Sequence, residues 1–158
     1  MSRYPLPLTR IVHENLSVLM NFAFSRGPLE RLIETKFVGE WKYLRKGLLE
    51  VSEDRALKAC FELALFLRML DDEEGMSDYL REIDSNLRFG VLHRDGKSDK
   101  PLGLRDVANK ILHSSELQWD FSSEERPSIV CTSRERDKWT SAEIDVVSLA
   151  GFCGELMH

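Results

Sequence analysis

The sequence predicts a predominantly α-helical α+β fold, a compact helical domain carrying a small β-hairpin in its C-terminal half, and three observations carry that expectation. Residues 52–70 are apolar from Ala56 onward except at Lys58, Glu62 and Arg68, so a helix there has to be packed on several sides. Other stretches repeat apolar residues at spacings of three and four, the period of an amphipathic helix. Around 116–133 the pattern changes: Leu117, Trp119 and Phe121 alternate, a polar connection follows, and 128–132 is rich in β-branched residues. With 158 residues, one domain spanning 1–158 is expected.

In chain order, the first helix is expected over 9–25, with Val12, Leu16, Leu19, Met20 and Ala23 on its apolar face. Gly27 and Pro28 are expected to end it and to start a second helix presenting Leu29, Leu32, Ile33, Phe37, Trp41 and Leu44, with Gly39 a point of bending. Ser52 reads as the N-cap of the central helix, and Glu53 and Asp54 suit its first turn. The acidic run 71–75 lacks the ligand spacing of a calcium loop and reads as a solvated connector. Ser77 opens a short helix through Tyr79, Leu80, Ile83 and Leu87. Leu87, Phe89 and Val91 then alternate as a short strand, and the polar stretch through Pro101 reads as a loop. A helix is expected over 102–115, with Leu104, Val107, Ala108, Ile111 and Leu112 buried. Thr140 through Glu143 has the form of a capping box and is expected to open a last helix through Ile144, Val147, Ala150 and Phe152.

Hydrophobic residues make up 42% and charged residues 31% of the chain, the balance of an ordinary globular protein. The net charge of −5 argues against broad, non-specific binding to nucleic acid. Lys and Arg nevertheless outnumber Asp and Glu in residues 1–50 and 91–115. Cys60, Cys131 and Cys153 form no disulfide framework and no C-x-x-C pair, which favours a reducing compartment. No signal-peptide core and no apolar stretch of membrane-spanning length is read, so a cytoplasmic location without membrane association is expected. His13, His93 and His158 lack zinc-ligand spacing, and neither a metal nor another cofactor is expected.

The residues that point to chemistry lie on the helix over 102–115. Arg105, Asn109 and His113 follow at intervals of four, which sets them along one flank away from the apolar face. A guanidinium, an amide and an imidazole so arranged suit a phosphate-bearing substrate: Arg105 to stabilise charge, Asn109 to orient, His113 as acid or base. Cys131 would be a nucleophile only with His113 beside it. Trp119 and Trp139 read as hairpin packing residues.

The stretch from Arg105 to His113, with the helical architecture, resembles the polar helix of HEPN-type domains, in which an Arg is followed by a His after four to six residues; here seven intervene. Arg88 and His93 have four between them, with Gly90 inside the stretch. The resemblance implies a metal-independent ribonuclease or RNA-binding domain that dimerises. The residues themselves, lacking a complete catalytic motif and rich in large apolar side chains, lead to a different first expectation: a non-catalytic interaction or accessory protein that self-associates or binds another protein, with RNA the partner in the alternative.

Overall fold

A computed structural model of the chain describes residues 8–37, 39, 43–83, 88–134 and 138–155. Among the described residues, five α-helices and a five-stranded antiparallel sheet make a predominantly helical α+β fold. In order these are α1 (Leu8–Thr35), a π-helical turn (Lys46–Glu50), α2 (Val51–Glu74), α3 (Met76–Ile83), β1 (Gly90–Arg94), β2 (Lys97–Pro101), α4 (Leu104–Leu112), β3 (Ser114–Asp120), β4 (Ser128–Ser133), β5 (Ser141–Asp145) and α5 (Val146–Glu155). Trp41, Leu87 and His158 lie outside the described residues.

The central helix is longer than its sequence signals suggest. The π-helical turn runs straight into α2, with Val51 N–H donating to the Lys46 carbonyl, so Ser52 is an interior residue and not a cap. At the other end α2 continues through the acidic run to Gly75, whose φ of 63° closes the helix in the left-handed conformation that glycine adopts without strain. One face of α2 buries Ala56, Ala59, Cys60, Leu63, Ala64, Leu67 and Leu70.

The break expected at Gly27 and Pro28 does not occur, and α1 runs unbroken past both. Proline in a helix interior sacrifices a backbone bond. Here Leu19, Phe22 and Ala23 before it and Ile33 after it remain on one buried face, and that packing outweighs the lost bond. The helix ends at Thr35, ahead of Gly39.

The sheet has the order β2-β1-β5-β4-β3, larger than the hairpin that the sequence suggests. The expected hairpin is β3 and β4, paired from Ser114↔Ser133 to Asp120↔Ser128. Two further differences enlarge it. The stretch read as a loop is β2, a wholly exposed edge strand whose Lys97, Lys100 and Pro101 discourage further strand pairing. Thr140 through Glu143 opens no helix: Ser141–Asp145 is β5, between β1 and β4. The local capping signal loses because Ala142 and Ile144, both fully buried, gain two pairing strands and a core face as an extended segment. Leu92, Ala142, Cys131 and Leu117 line up across four strands, and the buried members of this row meet α1, α2, α4 and α5 in one apolar cluster.

Aromatic contacts fasten helices to sheet. Phe22 of α1 meets Trp119 at 5.3 Å and Phe121 at 6.1 Å, and Trp119 stacks on Phe121, the packing role expected of that tryptophan. Phe89 meets Phe152 of α5 edge-on at 5.6 Å. His13 Nε2 donates to the Cys153 carbonyl at 3.0 Å, joining α1 to α5.

Candidate functional site

The helix carrying Arg105, Asn109 and His113 begins at Leu104, where Asp106 Oδ2 accepts from the Gly103 N–H at 3.2 Å. Its buried residues are Leu104, Val107, Ala108 and Ile111, so the polar flank turns away from the core as the spacing predicts. Arg105 and His113 nevertheless serve different surroundings.

Arg105 reaches back to the end of α2. Its Nη1 donates to Asp71 Oδ2 at 3.2 Å and to Asp72 Oδ1 at 2.5 Å. The hydrogen bond to Asp72 is the main reason its guanidinium is held above the ordinary arginine pKa. Carboxylates at a helix C-terminus face the negative end of the dipole and need a counter-charge, which Arg105 supplies. Asp71 also accepts from the Ser77 N–H at 2.6 Å, linking α2 to α3. The acidic run is therefore the last turn of α2 and a structural junction.

Asn109 contributes its backbone carbonyl, which accepts from His113 N–H at 2.9 Å. His113 is the exposed C-cap of α4, about 12 Å along the axis from Arg105. It opens on a different feature: a cleft of about 420 Å³ lined by Lys110, His113, Ser133, Arg134, Lys138 and Trp139. The lining comes from the last turn of α4, the end of β4 and the approach to β5. Lys110 Nζ sits 4.9 Å from the centroid of the Trp139 ring, and Arg134 Nε donates to the Ser114 carbonyl at 3.2 Å. Of this group the sequence singles out His113 for chemistry; Lys110 lies on the same helix, while β4 and the approach to β5 bring Arg134 and Lys138 to it across the fold.

Cys131 does not meet His113. It is fully buried on the core face of β4, and burial pushes its thiol up to about 12, so it carries no thiolate near neutral pH. Cys153 is held at about 12 by the same cause, and the Cys60 thiol is raised chiefly by burial, further by Cys131.

A second feature lies on α2, opposite its buried face. Val51, Phe61 and Leu65 are exposed, and they fall within about 80° of one another around the helix. The fold and these two surfaces define a helical α+β protein with a basic cleft and an apolar outer helix face. No family model, curated protein or solved structure matches the chain. No helix among the described residues is long and apolar enough to cross a membrane.

Proposed function

We propose that this chain is a non-catalytic interaction protein that associates with a second copy of itself through the outer face of α2. The observation that carries the reading is that face: Phe61 is 41% exposed, Leu65 46% and Val51 45%, on a helix whose opposite face is buried. Fully burying a side chain such as Phe or Leu is worth about 1.5–3 kcal/mol, so the row is costly to leave in water.

The charges beside the row suit a second copy. In an antiparallel pair of α2 helices crossing on a two-fold axis at Leu65, Phe61 meets Met69 of the second copy, and Glu62 meets Arg68. Lys58 then lies opposite Asp72. One surface thus supplies both halves of the charge match, which is what a two-fold contact requires. The engagement of Arg105 by Asp71 and Asp72, and the burial of Cys131, support a binding role over a catalytic one.

Sedimentation across micromolar concentrations tests the reading. The native chain is expected to dimerise, and Phe61→Glu to sediment as a monomer with unchanged circular dichroism. Glu62→Arg is expected to weaken the dimer and Glu62→Arg with Arg68→Glu to restore it. A strict monomer for the native chain overturns the proposal.

A further inference from the structure

The cleft beside His113 gathers positive charge in a chain whose net charge is −5. Lys110, Arg134 and Lys138 line it with His113, and among the described residues that line it none is acidic. An anion seated between them meets positive charge from separate elements of the fold, α4 on one side and the stretch after β4 on the other.

The individual groups are set for a multivalent anion. Arg134 has its Nε committed to the Ser114 carbonyl, which orients the guanidinium and leaves both terminal amino groups as a planar pair of donors. Lys110 is held over Trp139, and Lys138 is exposed at the rim. A helix C-terminus ordinarily opposes an anion, but here its carbonyls are engaged: that of Asn109 accepts from His113 N–H, and that of Ile111 from Ser114 Oγ at 2.8 Å. A lone carboxylate needs one arginine. Three cations and an imidazole match the two charges and three acceptor oxygens of a phosphomonoester.

The surroundings also decide the ligand's size. A volume of about 420 Å³ lies in the range of small-molecule pockets. Binding of single-stranded RNA relies on open aromatic faces for its bases. Trp139 is only 7% exposed, with Lys110 over its ring, and offers no such platform.

We propose that this cleft binds the phosphate group of a small phosphomonoester, with Arg134 in bidentate contact, Lys110 and Lys138 as flanking charges and His113 donating from its ring.

The test is a nuclear magnetic resonance titration of the full-length chain, at constant ionic strength, with phenyl phosphate, inorganic phosphate and a short oligouridine in separate arms. Saturable shifts of the Trp139 indole and of the Lys110, His113 and Arg134 amides are expected with phenyl phosphate. Inorganic phosphate is expected to bind more weakly. Lys138→Glu, a change at an exposed residue, is expected to weaken binding about tenfold or more, as loss of a charge-assisted contact should. Arg134→Lys is expected to weaken it while keeping the charge, because the paired donors go. Inorganic phosphate binding as tightly as the ester overturns the assignment to an ester. The proposal as a whole falls if neither small phosphate gives saturable shifts, if Lys138→Glu binds as well as the native chain, or if only oligouridine binds.

Discussion

Arg105 on α4 and Asp72 in the last turn of α2 are joined by a 2.5 Å hydrogen bond across 33 positions of sequence, and Asp71 shares the same guanidinium nitrogen at 3.2 Å. The pair ties the two helices at the point where α2 would otherwise end in unopposed carboxylates. Asp71 is 9% exposed, so its charge depends on that partner more than the outlying Asp72, at 58%, does.

Arg105→Ala is therefore expected to destabilise the fold. Its side chain is 35% exposed, and solvent screening reduces the value of the exposed pair with Asp72, so the expected loss is about 1–2 kcal/mol, most of it from leaving Asp71 buried and unpaired. Urea denaturation checks the value. Asp71→Asn in the same background should recover part of the loss, whereas an Arg105 devoted to ligand binding would leave the midpoint unmoved.

His93 gives the sheet a pH dependence on its alkaline side. Its Nε2 lies 3.1 Å from Glu143 on β5, and its Nδ1 lies 3.0 Å from Asp99 on β2, so the imidazolium bridges three strands. The hydrogen bond to Glu143, then that to Asp99, raises its pKa above the ordinary 6.5. Because the folded value lies above the unfolded one, this stabilisation is complete below about pH 6.5 and fades as pH rises through the folded value. With a side chain 34% exposed, the contribution is expected to be about 1 kcal/mol or less. Melting temperature should fall on that limb for the native chain and stay flat for His93→Gln. Equal slopes in the two proteins would show that His93 is not the titrating group.

What the sequence discloses and what it conceals follow from the range of the interactions. The helix over 52–70 is legible because from Ala56 onward all but three of its residues are apolar, and the strands at β3 and β4 because alternation is local. β2 is not legible, since with both faces in solvent it has no apolar periodicity. At Thr140 a local cap signal competes with burial of Ala142 and Ile144 between two strands, and only the assembled sheet reveals the winner. The site divides in the same way. The flank of Arg105, Asn109 and His113 is readable from helical spacing, but Arg105 is claimed by carboxylates more than 30 positions away, and Arg134 and Lys138 reach His113 only through the β3–β4–β5 arrangement.

Gly90→Ala is expected to be among the most damaging single changes. Gly90 has φ of 154° and pairs with Ile144, and a Cβ at this position would stand 1.9 Å from the Glu143 carbonyl oxygen. The atoms that it would meet are all backbone of β5, with no flexible side chain to yield, so β1 has to separate from β5. A loss of about 4 kcal/mol or more is expected, by the combination of strain and lost pairing, with failure to accumulate as folded protein the extreme outcome. Gly96→Ala provides the contrast: its φ of 68° is also strained, but nothing lies within 4 Å of the added carbon, and the expected cost is about 1–2 kcal/mol. A similar midpoint for the two variants in urea would show that the close approach at Gly90 relaxes freely.

Asp145→Ala should remove the true start of α5. Asp145 ends β5, and its Oδ1 accepts from Val147 N–H at 3.1 Å while Oδ2 accepts from Ser148 Oγ at 2.8 Å and from Arg126 at 2.5 Å. It thus fills, five positions further along the chain, the N-cap role that the sequence assigns to Thr140. Burial alone would raise its carboxyl, but the bonds from Arg126 and Ser148 together bring it below the ordinary aspartate value. A folded value below the unfolded one means the stabilisation is present above about pH 4 and is lost as pH falls through the folded value. Asp145→Ala is expected to cost about 1–2 kcal/mol at neutral pH, in the range of a lost N-cap, and to lower the acid sensitivity of the melting temperature. Asp145→Asn, which keeps an oxygen for Val147 but loses the charge that Arg126 meets, should recover part of the stability and none of the acid dependence. An alanine variant as stable as the native chain would place the start of α5 under the control of Val146, Leu149 and Phe152 packing alone.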